Sequence, residues 1–414
     1  VRRRTVLIGG AALAGAGLIA LRPAEGGGMH DPYFAGLSAA LKRAGLMHPV
    51  LVIDQQRLSA NIAAIRSRVT AGKLPLRVVA KSLPAPGLLD AVMAGMGTER
   101  LMVFSAEMLL QLLPLNPQAD YLLGKPLPAA EFARVIDTAG AEAAARIQWL
   151  IDTPERLAAY GAIAKVRNLT WRASLEIDVG LHRGGFTDPA ALAAAAKAAA
   201  SHGASIAGLM GYDPHVPKMP SPDGAFADAQ GVYRAMIGAV QEAGLDPAKL
   251  TLNTAGSPTF VRHCAGTVAN EVSVGSAFVK PGDFDYEDLG ALQAAAFIAT
   301  PVLKAGSDQQ LPGVEALSGP LHWWDRNTQR GFFIHGGHWL ARPVSPPGLE
   351  YSKLFGRSSN QELLTGSHQV ELKVDDHVFL RPDQSEALFL QFGDIVLYNG
   401  GDVAGTWPTL PISA

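Results

Sequence analysis

The chain has 414 residues, enough to bury a large core and to form two or three domains. Lysine plus arginine (35) nearly balance aspartate plus glutamate (37), so net charge gathers neither nucleic acid nor anionic lipid, and a small or weakly charged ligand is expected. The one cysteine, Cys264, excludes an internal disulfide and cysteine-rich zinc sites, and reads as an apolar filler.

At the N-terminus Arg2, Arg3 and Arg4 precede T-V-L-I-G-G-A-A-L-A-G-A-G-L-I-A-L, an apolar, Gly- and Ala-rich stretch without charge until Arg22. This shape reads as a twin-arginine-like signal over residues 1–28, which places the protein in the periplasm or outside the cell. The alternative is a membrane anchor, because roughly 17 apolar residues is the lower edge of a span. Without a signal the location would be cytoplasmic. Gly26, Gly27 and Gly28 read as a flexible joint.

V-L-V-I-D (50–54) predicts a strand, and Leu58, Ile62, Ile65 and Val69 recur at helical spacing after it. Short apolar runs then alternate with alanine-rich helical stretches. The predicted strands are R-V-V-A at 77, L-M-V-F at 101, Y-L-L at 121, I-Q-W-L-I at 147, R-A-S-L-E-I at 172, S-I-A-G-L-M at 205, L-T-L-N at 250 and E-V-S-V at 271. Eight strands separated by helices predict an α/β fold with a (β/α)8 TIM-type barrel over residues 49–294. Thr153 before Pro154 supplies a side-chain cap and a preset backbone angle for a helix start.

Past residue 295 the pattern becomes alternating. Q-V-E-L-K-V (369–374), H-V-F-L-R-P (377–382), E-A-L-F-L-Q-F (386–392) and D-I-V-L-Y-N-G-G-D-V-A (394–404) read as antiparallel strands, with Asn399-Gly400 as a hairpin turn. A C-terminal β domain over 295–414 follows, with a contribution from 29–54.

The chemistry begins at R-V-V-A-K-S. Lys81 ends an apolar strand, where barrel enzymes carry catalytic groups, and an amine held in apolar surroundings suits a Schiff-base nucleophile. T-A-G-S-P-T (254–259) and V-G-S-A (274–277) follow the seventh and eighth strands, where small residues let backbone amides approach an anion. A strand-end lysine together with an anion site points to a phosphate-bearing carbonyl cofactor, and pyridoxal 5'-phosphate meets both needs.

A-K-S (80–82), L-E-I-D-V-G-L-H-R-G-G (175–185), G-L-M-G-Y (208–212), T-A-G-S-P-T and N-E-V-S-V-G-S (270–276) span most of the barrel. With these stretches the chain resembles the pyridoxal-phosphate enzymes of the alanine racemase fold type (fold type III), most closely the D-threonine aldolase and D-serine dehydratase branch. The resemblance implies that Lys81 forms the Schiff base, Arg183 contacts the cofactor ring and Tyr212 neighbours it. It also implies that Thr254, Gly256, Ser257, Gly275 and Ser276 hold the phosphate. Taken singly, Arg183 also reads as a surface arginine, Tyr212 as a core aromatic and the Gly-Ser pairs as plain turns; their joint occurrence argues for the cofactor.

The chain departs from the family in places. Val79 stands where a histidine usually precedes the lysine, and Leu83 and Pro84 replace a His-Lys pair after it. The family places a metal on a C-terminal histidine followed two residues later by cysteine or aspartate. Here the segment reads P-D-Q-S-E (382–386), with Gln384 and Glu386 at those positions. A neutral amide is a poor zinc ligand, so no metal ligand is assigned; Glu386 reads as a solvated or hydrogen-bonding residue, with a hard divalent ion on it as the alternative.

Without that metal another base is needed, and His215 is chosen because it follows a strand end, ahead of His182, His335 and His338. The resemblance implies a lyase that cleaves a small β-hydroxy-D-amino acid by retro-aldol reaction or β-elimination. A racemase and a non-catalytic cofactor carrier are the alternatives. It also implies a homodimer.

Overall fold

The computed structural model describes residues 22–411 apart from 308, 309, 311, 312, 314, 354, 355 and 387. Most of the proposed export segment therefore lies outside the described residues. The chain divides into two compact units: one formed by Ile53–Ala296, Asp383–Leu397 and Gly405–Ala414, the other by the residues up to Val52, Phe297–Pro382 and Tyr398–Ala404. Among the described residues no helix is long and apolar enough to cross a membrane.

The fold of the larger unit follows from apolar runs that end in polar caps. Strand β1 (Val50–Asp54) ends at Asp54, whose carboxylate accepts from the amides of Gln56 and Arg57 and starts the helix Gln55–Ala71. That helix buries Leu58, Ile62, Ile65 and Val69, the positions its periodicity marks. Strands β2 (Leu76–Val79), β3 (Arg100–Val103), β4 (Asp120–Leu123), β5 (Ile147–Ile151), β6 (Trp171–Ile177), β7 (Ala204–Gly211), β8 (Thr251–Thr254) and β9 (Glu271–Val274) close into a parallel barrel. Ladder pairs Leu76↔Val272 and Val78↔Val274 seal it. All eight predicted barrel strands form. They read as continuous apolar runs because helices cover the outside while side chains fill the inside.

Local chemistry sets the intervening helices. Thr153 caps the helix Pro154–Val166 through the Arg156 amide, and Ser105 caps Ala106–Leu115 through that of Met108. Phe132 stacks on Tyr160 at 4.2 Å, and Trp149 and Trp171 meet Phe132 edge-on, which fixes one sector of the helical ring against the strands. Gly208 lets β7 approach β8: a Cβ there would lie 2.0 Å from the Thr251 carbonyl oxygen.

The N-terminal end of the barrel is plugged by charge rather than by aliphatic side chains. Arg77, 1% exposed, bonds Glu271 and Asp120, each at 2.7 Å; Arg100 bonds Glu271 and Arg172 bonds Asp120, each at 2.8 Å. Such a network is tolerated only when its members are mutually satisfied.

The tail joins this unit as well. The Asp283 amide donates to the Asp383 carbonyl at 3.0 Å, and the Leu410 amide to that of Pro84 at 2.8 Å. Trp407 packs on Gly87, where a Cβ would lie 2.4 Å from its ring.

The smaller unit is built on antiparallel pairs. Strand β10 (Ala296–Ser307) pairs with β11 (Arg330–His335) along one half and with β15 (His377–Pro382) along the other. Strand β12 (Ala341–Ser345) pairs with β15, and β14 (Gln361–Gly366) with both β11 and the short β13 (Glu350–Tyr351). Strands β16 (Ile395–Asn399) and β17 (Asp402–Trp407) form the expected hairpin, turned at Gly400 and Gly401 with φ of 61° and 101°. Phe34, on the helix Pro32–Arg43, packs against Phe297 and Phe379.

Two expected strands are absent. Q-V-E-L-K-V keeps its alternation, with Val370 and Leu372 buried, but forms no strand; its Val370 and Leu372 carbonyls accept from the Arg330 guanidinium instead of a ladder. In E-A-L-F-L-Q-F, Phe389–Gln391 form a 3₁₀ turn, with Leu388 and Phe389 buried. Nor do the three glycines hang free: the Gly26 amide donates to Asn327 at 2.8 Å, its carbonyl accepts from Ser367 at 2.5 Å, and a Cβ on Gly27 would lie 2.8 Å from Ser367 Oγ.

Candidate active site

At the C-terminal ends of β2, β7, β8 and β9 a cavity opens. Lys81 enters it from the 3₁₀ turn Ala80–Ser82 that follows β2. Its Nζ lies 3.3 Å from Glu386 Oε1 and 4.7 Å from the centre of the Phe104 ring. The Lys81 side chain is 38% exposed and its amine is ion-paired. It is not sealed in apolar surroundings as the sequence suggested, because the tail brings a carboxylate to it.

Arg183 is presented by a turn that Asp178 builds. One carboxylate oxygen of Asp178 accepts from the amides of Gly180 and His182, both at 2.9 Å, and the chain takes positive φ at Gly180, His182, Gly184 and Gly185. At Gly185 a Cβ would lie 2.8 Å from the Glu176 carbonyl, which explains a glycine there. Burial works against the Asp178 charge, yet the amide bonds from His182 and Gly180 hold its carboxyl below the usual range. Arg183 then lies over Tyr212 at 5.1 Å, a cation–π contact. Burial pushes the Tyr212 phenol up to about 12, although Arg183 opposes the shift.

The two small-residue turns meet at the cavity, the first of them against the Tyr212 ring. Ser257 Oγ accepts from the amides of Gly275 at 3.3 Å and Ala277 at 2.9 Å, and Ser276 Oγ donates to Ser82 Oγ at 3.0 Å. Gly256 and Gly275 have no room for a side chain: a Cβ would lie 2.5 Å from the Tyr212 ring and 2.8 Å from Val79 Cβ, respectively. Beneath the first turn Thr259 donates to Asp213 at 2.6 Å, and His263 pairs with the same carboxylate at 2.9 Å, all three buried. This ties the 254–259 turn to the segment that carries Tyr212.

Lys81, Arg183, Tyr212, Gly256, Ser257, Gly275 and Ser276 therefore line one cavity, while Thr254 is buried in β8 and does not line it. His215 is not among the lining residues; its Nδ1 is buried without a hydrogen-bond partner and its ring abuts Gly180. The His182 side chain is 84% exposed and bonds Asp178, and His335 and His338 belong to the smaller unit. None of the four histidines reaches the cavity.

Sequence reasoning missed Glu386, Ser82 and Phe104 in this cavity, and Glu176 beside it. Glu176 lines an adjoining space with Lys81, Asp152, Arg183 and Glu386, and burial pushes its carboxyl up to about 7 against the pull of Arg183. The signal for Glu386 was its place in P-D-Q-S-E, where it reads as a solvated or hydrogen-bonding residue with a divalent ion as the alternative.

The sequence profile of the alanine racemase N-terminal domain matches residues 53–281, more than half of the chain and the whole barrel. The chain belongs to that family. It is thus a member of the fold type III pyridoxal-phosphate enzymes, as the motifs implied. A sequence search of curated proteins gives no match.

Solved structures share the fold at low identity. D-threonine aldolase from Filomicrobium marinum is 19% identical with a TM-score of 0.70, over 87% of this chain and 96% of that one. D-threo-3-hydroxyaspartate dehydratase from Delftia sp. HT23 is 16% identical with a TM-score of 0.71, over 88% and 98%. Alanine racemase from Bacillus anthracis is 13% identical with a TM-score of 0.65, over 87% and 98%.

The residues fit the cofactor. A reachable amine, an aromatic–arginine pair and a group of neutral N–H and O–H donors around Ser257 supply what a carbonyl, a ring and a phosphate require. The two positions implied for a metal do not converge: Gln384 is exposed and donates to Asp283, while Glu386 pairs with Lys81.

Proposed function

We propose that this family member is a lyase acting on a small β-hydroxy-D-amino acid, cleaving either the Cα–Cβ bond or eliminating the β-substituent. The observation that supports it is that Lys81 shares one cavity with Arg183, Tyr212 and the Ser257 and Ser276 turns. Bound there, pyridoxal 5'-phosphate would supply the electron sink that weakens bonds at the α-carbon.

The chain's own groups divide the remaining work. Lys81 would hold the cofactor through its amine. The hydroxyls of Ser257 and Ser276 would hold the phosphate, with Ser257 fixed by the amides of Gly275 and Ala277. Arg183 and Tyr212 would orient the ring, with Arg183 held by the Asp178 turn. Phe104 and Met102 keep the inner cavity apolar, which limits water at the reacting centre.

The test is incubation of the reconstituted protein with D-threonine and D-serine. Glycine with acetaldehyde, or pyruvate with ammonia, supports a lyase; appearance of the L-isomer alone assigns a racemase. Binding of cofactor with every amino acid left untouched assigns a carrier. A homodimer and export through the N-terminal segment belong to the same proposal, checked by sedimentation and by cell fractionation.

A further inference from the structure

We propose that Glu386 takes the place of a divalent ion in this site: a carboxylate that meets the substrate beside Lys81, in a reaction that runs without a bound cation. This rests on the cofactor reading above and adds to it the group that recognises the β-substituent.

Both oxygens of Glu386 are held. Oε1 faces Lys81 at 3.3 Å, and Oε2 accepts from Ser385 at 3.0 Å and lies 3.4 Å from Ser276 Oγ. The side chain is therefore fixed at the junction of the inner cavity and the adjoining space lined by Asp152 and Glu176. Gln384, two residues earlier, does not share that space. It is exposed, and its amide donates to Asp283 at 2.9 Å. The two positions at which the resemblance places metal ligands thus point to different surroundings and cannot close on one ion.

The charge balance agrees. In the protein without cofactor Lys81 already neutralises Glu386, and a divalent cation on the same carboxylate would sit within a few ångströms of a like charge. Gln384 offers only a neutral amide, committed elsewhere.

A carboxylate and a metal recognise opposite partners. A metal accepts a lone pair from a substrate oxygen; a carboxylate accepts a hydrogen. The substrate class that follows carries a hydrogen-bond donor, a hydroxyl or an ammonium, on its β-carbon. A β-carboxylate would meet like charge at Glu386.

The experiment uses the full-length holoenzyme. It is dialysed against EDTA, its metal content is measured by mass spectrometry, and it is titrated calorimetrically with Zn²⁺ and, separately, with Mn²⁺. The expected result is less than about a tenth of an equivalent of metal and no saturable heat. Cofactor absorbance is unchanged by chelation, and turnover of D-threonine or D-serine is kept within about twofold. Glu386→Gln should keep the cofactor absorbance and slow turnover by about tenfold or more. One equivalent of metal whose removal abolishes turnover, restored by Zn²⁺ or Mn²⁺, overturns the proposal. So does wild-type turnover by Glu386→Gln. Should that variant not fold, the metal titrations of the wild type decide. A protein that never develops cofactor absorbance fails the cofactor reading instead.

Discussion

Ser257 Oγ accepts the amide hydrogen of Ala277 at 2.9 Å, a bond that joins two turns twenty residues apart in sequence and belonging to neighbouring barrel strands. The same oxygen takes the Gly275 amide, so two backbone donors fix the hydroxyl and leave its own O–H to meet an anion. Ser257→Ala should therefore raise the dissociation constant of pyridoxal 5'-phosphate about tenfold, the effect of losing roughly 1.4 kcal/mol of hydrogen bonding. Titration followed by protein fluorescence measures it; unchanged affinity would remove Ser257 from the anion site.

Glycine at 256 and at 275 is required by space. Gly256→Ala drives a methyl into the Tyr212 ring and Gly275→Ala drives one into Val79 and Ser82. Each should destabilise the fold by about 1–3 kcal/mol and weaken cofactor binding together. Denaturant unfolding and cofactor absorbance check the two effects on the same samples.

The barrel strands were readable because each is short and most carry an apolar run buried on both faces, so Val78–Val79 or Leu150–Ile151 needs no knowledge of its neighbours to be recognised. Lys81, Arg183 and the two small-residue turns were readable because each sits at a strand end, where a polar or flexible residue interrupts an apolar run. Glu386 was not, since nothing local says that the 383–397 segment joins the barrel unit and faces Lys81; that is a long-range contact. The same limit explains Q-V-E-L-K-V, whose alternation records burial of Val370 and Leu372 but not the guanidinium that replaces a strand partner. His215 followed a strand end as well, yet the Tyr212–Asp213 turn carries it beneath Gly180 and away from the cavity.

Glu176 makes stability depend on pH. Its carboxyl titrates at about 7 in the fold because burial disfavours the charge, against an ordinary value of 4.5. The folded state thus holds a proton that the unfolded state has released, and stability falls as pH rises from 4.5 through 7. The contribution is up to about 3 kcal/mol, fully present below the lower value. Urea unfolding at acid and at mildly alkaline pH should show a steeper decline for the wild type than for Glu176→Gln. Parallel profiles would contradict the assignment.

The charged plug at the far end of the barrel should behave as a structural unit. Arg77→Met leaves Glu271 buried with Arg100 and Asn253 as its remaining partners, and should cost about 3 kcal/mol in unfolding free energy. Because the plug sits at the strands' N-terminal ends, cofactor affinity in the folded fraction should stay within about twofold of wild type. Equilibrium unfolding with a parallel cofactor titration separates the two.

The most direct test of the whole account is to reconstitute the protein with pyridoxal 5'-phosphate, reduce it with borohydride and map the modified residue by peptide mass spectrometry. The account predicts the reduced cofactor on Lys81 alone, with none retained by Lys81→Ala. Modification centred on another lysine, or spread over surface lysines with Lys81 untouched, would contradict it.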